Sequence, residues 1–503
     1  MQLDPRTPVL VGGGQWNNRV DEGAAAVEPV DLLAEAARRA AADTGAADPG
    51  KVLAAVASVR VVGMLSWRYA DPGRLVAERI GAGDVRQTLY TSMGGNTPQA
   101  LVNATCREIL AGDLDLAVIG GAEAWRSRSA IKAAGEKPPW TTQPEGTAPD
   151  VQFGNADPLD MVHPLELQRG VVAPVQVYPM FESALRAEAG ATADEWRAHL
   201  GRLWSRFSEV AAANPDAWLR QAWTAEEVVA VSPDNRMIGA PYPKRLNSNN
   251  AVEQGAAVLL CSVEAAERLG VPRERWVFPW AGTDGYDTGH ASTRRDFRSS
   301  PAIEVAGRRV LALAGVGADD LAHVDLYSCF PSAVQLGAHG LGLGLDRDLT
   351  VTGGLSFAGG PWNNYVTHSI ATMAGRLRDD PDAVGLITAN GGLVQKHAFG
   401  VYAAHPPAAP FRSEQPQGEI DAAAGPPVVA AEPDWSGPGT VEAYTVMHDR
   451  DSVPEKGIVA VATAAGTRTW ATSTDGPTLR SMLVDQWVGR AVEVAPDATF
   501  GAA

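Results

Sequence analysis

The sequence predicts an α/β fold followed by a small all-β domain, and three observations carry that prediction. In the N-terminal quarter of the chain, short apolar runs alternate with helical stretches, the pattern of a parallel sheet covered by helices. A Pro- and Ala-rich stretch over 405–438 then interrupts the chain. Beyond it, apolar and polar residues alternate with the period of β-strands.

The first elements follow this alternation in order. Thr7–Gly12 is predicted to be a short buried strand, and Pro29–Thr44 an Ala-rich helix with apolar residues at helical spacing. Val52–Met64 alternates and is predicted to be a second strand. These elements open a sheet with a helix packed on its face.

A strand–helix–strand unit follows. Thr97 is predicted to cap a helix that has Pro98 at its first position and runs to about Leu110. Leu116–Gly121 (LAVIGG) is then a buried strand. This tempo is typical of a βαβ unit, which requires parallel strands.

The remaining elements suggest two related halves separated by an insertion. The segment 123–245 is rich in Pro, Trp and charge, and is predicted to be an insertion lying over the sheet. Asn249–Glu264 returns to a tight turn and a buried strand, and Ile303–Ala314 is predicted to be a helix. Val324–Leu326 and Val384–Ala389 are short apolar strands, so each half has a strand, a glycine turn and a helix.

The C-terminal segment is predicted to be a small closed β-barrel of the oligomer-binding type. Its alternating runs are Gly439–Met447, Gly457–Thr463 and Thr467–Thr472, with a short helix over Arg480–Trp487 and a last strand over Arg490–Val494. The predicted organisation is therefore a first half (1–122 and 246–275), an insertion (123–245), a second half (276–404), a linker (405–438) and a barrel domain (439–503).

Composition excludes several classes of function. The 503 residues carry a formal net charge of -17, which repels nucleic acid and anionic lipid. Three cysteines without metal-ligand spacing fit a reducing cytoplasm and predict no metal site. The N-terminus has no signal-peptide pattern, and no apolar stretch is long enough to span a bilayer.

Four glycine-rich turns carry the most specific information. They are TSMGGNTPQ (91–99), DLYSCFPS (325–332), GGLSFAGGPWNNY (353–365) and ITANGG (387–392). In this order they resemble the active-site loops of the thiolase superfamily. NSNNAVEQGAAVLLCSVEAAERLG (247–270) and LAGDLDLAVIGGAEAW (110–125) are similar to two further family stretches. The pattern is closest to the sterol-carrier-type branch, and the C-terminal addition resembles the type 1 thiolase-like proteins, which often carry the name acetyl-CoA acetyltransferase.

The resemblance implies a thiolase fold of two doubly wound halves packed as five layers, and it implies acyl-coenzyme A chemistry. A thiolase carries its nucleophilic Cys at a helix N-terminus, where the thiol pKa is lowered. Counting back from Gly112 places Gly95 at that position, and glycine has no nucleophile. Ser92, three residues upstream, is the alternative nucleophile, or it merely bonds the turn.

The second and third sites also lack the usual groups. Tyr327 stands where the sterol-carrier branch has the His of its His-Asp-Cys-Phe motif, so it is a candidate acid, base or hydrogen-bond donor, or else a packing residue. Gly360 stands at the position of the catalytic His in the Gly-His-Pro turn. Asn363 follows as a candidate polar contact. The missing His argues against thiolysis.

The fourth site keeps its backbone. Thr388 takes the place of the family's second Cys, and Asn390 and Gly391 continue a turn whose amide groups can form an oxyanion hole. Asn96 belongs to the same predicted pocket, and His397 lies just beyond it, as a pocket residue or a structural one. Cys329 follows a buried strand and is predicted to act as a small apolar residue.

Three functions remain open at this point. The first is a cytoplasmic thiolase-like protein of lipid metabolism that binds acyl-CoA, nominally an acyltransferase but without a Cys-His-Cys set. The second is a thiolase-fold retro-aldolase acting on β-hydroxyacyl-CoA, in which Tyr327 moves the proton and no nucleophile is needed. The third is a non-catalytic acyl-CoA carrier or sensor. No tightly bound cofactor is expected, and a homodimer is possible because thiolases commonly dimerise.

Overall fold

The computed structural model describes residues 3–20, 23, 25–154, 161–287 and 289–502. The first half and the insertion contain these elements: β1 Pro8–Asn17, α1 Pro29–Asp43, α2 Pro49–Ala54, β2 Ser58–Val61, α3 Pro72–Ile80, β3 Gln87–Thr91, α4 Thr97–Ala111, β4 Leu116–Ala124, α5 Trp125–Ala133, β5 Val151–Phe153, α6 Pro164–Arg169, α7 Pro174–Ala189, α8 Ala193–Ala213, α9 Ala225–Val229, β6 Met237–Gly239, β7 Tyr242–Pro243, β8 Glu253–Ser262 and α10 Val263–Arg268.

The second half and the C-terminal region contain the following: β9 Phe278–Tyr286, α11 Pro301–Ala314, β10 Leu321–Asp325, α12 Pro331–Leu341, α13 Gly354–Phe357, α14 Tyr365–Asp379, β11 Val384–Gly391, β12 Lys396–Ala403, β13 Arg412–Glu414, α15 Gln417–Ala424, β14 Val429–Ala430, β15 Gly437–His448, β16 Pro454–Thr463, β17 Thr467–Ser473, α16 Gly476–Val484, β18 Ala491–Val494 and β19 Phe500–Ala502.

Two mixed sheets form the body of the protein, in the orders β1-β8-β4-β2-β3-β5 and β10-β11-β12-β9-β13. Helices α4 and α14 lie between the sheets and contact strands of both, while α1 packs outside the first sheet and α11 outside the second. Every residue of the central strands β4, β8 and β11 is buried, as expected for strands covered on both faces. The predicted α/β architecture of two sheets and three helical layers is therefore confirmed.

Two local predictions in the first half were wrong. Val52–Met64 is not one strand: Asp48 caps α2 by accepting hydrogen bonds from the amides of Gly50 and Lys51, and the strand β2 starts only at Ser58. Thr97 is not the cap of α4. Asn96 occupies the cap position without a side-chain bond, while the Thr97 hydroxyl donates 2.8 Å to the carbonyl of Gly94.

The insertion both extends the first sheet and builds a helical layer. Strand β5 pairs in parallel with β3, from Leu89 opposite Val151 to Thr91 opposite Phe153. The insertion therefore covers the sheet edge that β3 would otherwise expose. Helix α7 packs against α12 and against β15 of the C-terminal region, so the insertion bridges the body and the C-terminal domain.

The C-terminal region is strand-rich, as predicted. Its strands follow the order β14-β17-β16-β15-β18-β19, and an isolated parallel bridge joins Thr472 of β17 to Thr499, directly before β19. The predicted helix begins earlier than expected, because Asp475 caps α16 by accepting from the amide of Thr478. The stretch 405–438 contains β13, α15 and β14 rather than only a connector.

Buried polar contacts fix the C-terminal domain to the second half. The fully buried Arg468 pairs with Glu442 and donates 3.0 Å to the carbonyl oxygen of Ala291. The indole of Trp470 donates 2.7 Å to the hydroxyl of Ser292. In the described part of the chain, no helix combines the length and apolar character needed to cross a membrane.

Candidate functional site

A cavity of about 440 Å³ lies where the two halves and the insertion meet, within the range typical of small-molecule sites. The turn before α4, the segments after β10 and β11, and the start of α7 form its wall. Its apolar walls come from Met93, Met161, Val162, Val172, Ala173, Pro174, Val175, Phe330, Leu355, Trp362 and Leu393. Its polar groups come from Tyr178, Asn247, Ser248, Asn250, Tyr327, Cys329, Asn363 and Asn390.

The position predicted for a nucleophile is filled by a tyrosine hydroxyl. A β-carbon added at Gly95 would overlap the Tyr327 hydroxyl oxygen and lie 2.9 Å from Cζ of the same ring. It would also lie 2.5 Å from the carbonyl oxygen of Asn390. The backbone amide of Tyr327 donates 2.9 Å to the hydroxyl of Thr388, which fixes the start of the turn. Glycine at 95 and tyrosine at 327 therefore depend on each other.

The position predicted for the catalytic histidine is filled in the same way. A β-carbon at Gly360 would overlap the hydroxyl oxygen of Ser248 and lie 2.9 Å from Oδ1 of Asn250. These two side chains hydrogen-bond to each other at 2.6 Å. An imidazole at this position has no space, so the missing thiolase groups are replaced by packing rather than by a void.

Asn363 ties the two halves together at the cavity wall. Its Oδ1 accepts a 3.0 Å hydrogen bond from the amide of Gly94, and its Nδ2 donates 2.8 Å to the carbonyl of Gly63. The neighbouring residue Trp362 has a left-handed backbone (φ 48°) and packs against Trp125, with 5.9 Å between the two ring centroids. Asn363 therefore positions the turn that carries Gly95.

Tyr178 is a cavity residue that the sequence did not reveal. It comes from α7 of the insertion and stacks on Phe330, with 4.5 Å between ring centroids. Its hydroxyl accepts a 3.0 Å hydrogen bond from Nδ2 of Asn390. The sequence shows Tyr178 only as an aromatic residue in the second turn of a helix that starts at Pro174. No feature of the sequence predicts that this helix lies over the cavity.

The cavity is electrostatically neutral along its described wall. Its titratable residues are Tyr178, Tyr327 and Cys329, and burial is the main cause that raises the pKa of all three. The pKa of the Cys329 thiol rises to about 12, so it is protonated at neutral pH. Cys329 reaches the cavity wall, which the sequence prediction did not anticipate, but it lacks the thiolate needed for nucleophilic attack.

The other predicted residues fall into two groups. Gly391 lines the cavity. Asn96 packs against it, because a β-carbon added at Gly391 would lie only 2.5 Å from Oδ1 of Asn96. Thr388 and His397 line a separate void of about 10 Å³ behind Tyr327, and burial lowers the pKa of His397. These two side chains do not reach the main cavity.

Ser92 lies outside the cavity. Its amide donates 2.8 Å to the carbonyl of Phe153, and its hydroxyl oxygen would lie 2.5 Å from a β-carbon added at Gly154. The Ser92 side chain therefore faces the end of the inserted strand β5 instead of the cavity. This geometry gives no support to Ser92 as a nucleophile.

Solved structures first define the class of protein. The dimeric peroxisomal thiolase of Saccharomyces cerevisiae matches with a TM-score of 0.56 at 14% identity, over 80% of this chain and 98% of its own. An Ltp2-ChsH2(DUF35) aldolase matches with a TM-score of 0.57 at 18% identity, over 80% and 99%. At these identities the likeness shows the fold alone, a thiolase fold.

A third structure defines the family. A monomeric SCP2-thiolase like protein type 1 from Mycobacterium smegmatis shares 32% identity over the whole of both chains, with a TM-score of 0.83. Residues 417–499 match the model for the thiolase-like protein type 1 additional C-terminal domain. The chain therefore belongs to the SCP2-thiolase-like proteins of type 1. No curated protein sequence matches it.

Proposed function

We propose that this protein binds an acyl thioester of coenzyme A in the cavity between its halves and does not perform thiolytic or Claisen chemistry. The observation that carries the proposal is the replacement of both reactive groups by packing. The Tyr327 hydroxyl fills the position beside Gly95, and Ser248 fills the position beside Gly360. The cavity thus keeps the thiolase shape without a nucleophile or its base.

The wall of the cavity suits an uncharged acyl group. Its described lining contains no charged side chain, and its apolar residues shield a bound chain from water. The Tyr327 phenol stays neutral because burial raises its pKa, so it is a hydrogen-bond donor for a carbonyl oxygen. In a site of low dielectric, such a donor interacts more strongly with a thioester carbonyl than it does in water.

A neighbouring cleft suits the phosphate-bearing end of coenzyme A. This outer cleft of about 740 Å³ shares Asn250 and Trp362 with the cavity. Its wall includes Arg126 on α5, a helix that also carries Arg128 and Lys132. In a chain with a net charge of -17, this basic helix is a local attraction for phosphate groups.

Binding is tested by isothermal titration of the protein with acyl-CoA esters of increasing chain length. Ser248→Trp places a bulky ring at the half-buried cavity wall, and we expect it to weaken binding at least tenfold. Ser232→Trp, at a half-buried turn outside the cavity, is the matched control and should bind as the unmodified protein does. Equal binding by both variants contradicts the proposed site.

A second candidate is retro-aldol cleavage of a β-hydroxyacyl thioester, favoured by the position of the Tyr327 hydroxyl over Gly95. In that reaction a base removes the proton of the β-hydroxyl, the Cα–Cβ bond breaks, and its electrons form an enolate that Tyr327 stabilises or protonates. The described wall offers no carboxylate or imidazole as the base. Binding without turnover is therefore the better-supported function.

The two candidates separate by one substitution. If the protein is a retro-aldolase, Tyr327→Phe should remove release of the aldehyde or ketone product while acyl-CoA affinity stays within a few-fold. If it is a binder, no β-hydroxyacyl thioester is consumed by either form, as followed by mass spectrometry of the thioester.

A further inference from the structure

A second cavity of about 210 Å³ lies between the insertion and the C-terminal domain, apart from the site described above. Helices α7 and α8 form one side of it, and β15 and α16 form the other. Its size matches a small organic molecule rather than a coenzyme. Because both domains contribute its walls, the cavity exists only when they are docked.

A buried arginine without a carboxylate partner lies in the wall of this cavity. Arg186 is 8% exposed, and its Nη2 donates to the hydroxyl of Tyr444 and, at 3.0 Å, to the carbonyl of Asp485. Its Nε is buried without a hydrogen-bond partner, and Nη1 donates to no described residue. No described carboxylate forms an ion pair with it within 4.0 Å, although buried charges are normally paired.

The acidic groups around the cavity are committed or distant. Glu182 accepts hydrogen bonds from Trp196, Gln335 and Tyr242, and burial raises the pKa of this carboxyl group, which favours its neutral form. Asp485 accepts 2.6 Å from the hydroxyl of Ser481 and lies 3.8 Å from Arg490.

Two exposed residues at the edge of the cavity, Asp194 and Arg197, have opposite charges and add no net charge. Among the described residues, the Tyr444 ring, whose centroid lies 5.8 Å from Cζ of Arg186, is the aromatic partner of this cation, and a carboxylate partner is left to a ligand.

We propose that this inter-domain cavity binds a small organic carboxylate, with its carboxylate group on Arg186 and its apolar body against Val446, Met482 and Leu483. Nη1 of Arg186 is the guanidinium nitrogen that can donate to the ligand, because Tyr444 and the carbonyl of Asp485 already accept from Nη2 and because Nε is buried. The hydrogen bond between this cation and a carboxylate is charge-assisted, and one carboxylate neutralises one arginine. The three apolar side chains line the same cavity and provide the surface that a short alkyl or aryl group needs. This proposal is independent of the acyl-CoA function.

Such a ligand stabilises the docked arrangement of the two domains. A molecule that binds only the folded, docked state raises the unfolding midpoint in a concentration-dependent way. The inferred site thus gives the C-terminal domain a role in ligand binding beyond its packing against the body.

The test titrates the full-length protein with sodium acetate, butyrate and hexanoate, and measures the thermal unfolding midpoint and ligand-observed NMR saturation transfer. We expect saturable binding that strengthens from acetate to hexanoate, and at least tenfold weaker binding of hexanamide and of inorganic phosphate. Arg186→Met and Leu483→Trp, the latter at a half-buried residue of the cavity wall, should each weaken hexanoate binding at least tenfold. Arg308→Met, at an exposed arginine of α11 outside the cavity, is the matched control and should change it less than threefold.

Two results overturn the proposal. One is the absence of saturable carboxylate binding by the unmodified protein, or equal affinity for hexanoate and hexanamide. The other is hexanoate binding that survives Leu483→Trp but is lost in Ser248→Trp, which assigns the carboxylate to the cavity between the halves. If Arg186→Met fails to fold, Leu483→Trp still decides the question, because it fills the cavity from a half-buried position without removing a buried charge.

Discussion

Replacing Gly95 by alanine tests how Tyr327 shapes the cavity. The backbone of Gly95 is not in the left-handed region, so the alanine adds no backbone strain and its cost comes from steric overlap alone. The added β-carbon would overlap the Tyr327 hydroxyl and lie 2.5 Å from the Asn390 carbonyl oxygen. Overpacking of this kind costs about 1–3 kcal/mol in the free energy of unfolding.

Equilibrium urea unfolding followed by circular dichroism measures this cost. The control is Gly375→Ala in α14, where no atom lies within 4 Å of an added β-carbon. That substitution should stabilise the protein by about 0.5–1 kcal/mol, because alanine favours a helix more than glycine does. The two alanine variants are therefore expected to shift the unfolding midpoint in opposite directions.

A double-mutant cycle assigns the cost to the tyrosine. Tyr327→Leu removes the ring that Gly95→Ala would meet, so the double variant should be less destabilised than the sum of the single variants by more than about 0.5 kcal/mol. The relief is partial, because the Asn390 carbonyl stays in place. Strictly additive effects, or an unfolding midpoint of Gly95→Ala equal to that of the unmodified protein, refute the reasoning.

Three further predictions concern other parts of the molecule. Burial lowers the pKa of His368 to about 3, whereas the unfolded chain takes up this proton near 6.5. Stability should therefore fall as pH drops through that window, by about 1.4 kcal/mol per pH unit from this residue, and His368→Gln should have a shallower slope between pH 6 and 4. Equal slopes of unfolding free energy against pH in His368→Gln and in the unmodified protein would contradict this prediction. Arg468→Met leaves Glu442 and buried carbonyl groups without their cation, at a cost of about 3 kcal/mol, so limited proteolysis should release the C-terminal domain sooner. An unchanged cleavage rate argues otherwise. Because β5 covers the edge of β3, sedimentation at micromolar concentration should give a monomer, and a dimer contradicts this use of β5.

Much of the fold was predictable from the sequence, because glycine turns and apolar runs are local signals. The run 249–264 contains the buried strand β8, and the turns containing Gly95, Tyr327 and Asn390 indeed meet at one cavity. These positions follow from the order of strands and turns, which a sequence displays directly. The two-halved fold follows from the same pattern.

The side chains that form the cavity wall were less predictable, because their positions depend on contacts between distant segments of the chain. Tyr178 reaches the cavity only because α7 crosses over it, and Ser92 is turned away by the inserted strand β5. The space beside Gly360 is filled by Ser248, which is 112 positions earlier in the sequence (360 − 248). No periodicity or motif connects such pairs.

The predicted starts of two helices were wrong for a more local reason. Asp48 starts α2 because its carboxylate accepts hydrogen bonds from two backbone amides, and the helix continues into the run 52–64, whose alternation favours a strand. Asp475 likewise starts α16 before the predicted helix. A capping side chain therefore outweighs a short apolar pattern at these two places.

The most direct test is an intact-mass measurement of the protein after incubation with excess acyl-CoA, performed alongside a binding titration on the same sample. The account predicts saturable binding with the protein mass unchanged and no free coenzyme A thiol released above the uncatalysed rate, since Cys329 is a protonated thiol and position 95 has no side chain. A protein mass increased by one acyl group, together with release of the coenzyme A thiol, contradicts it.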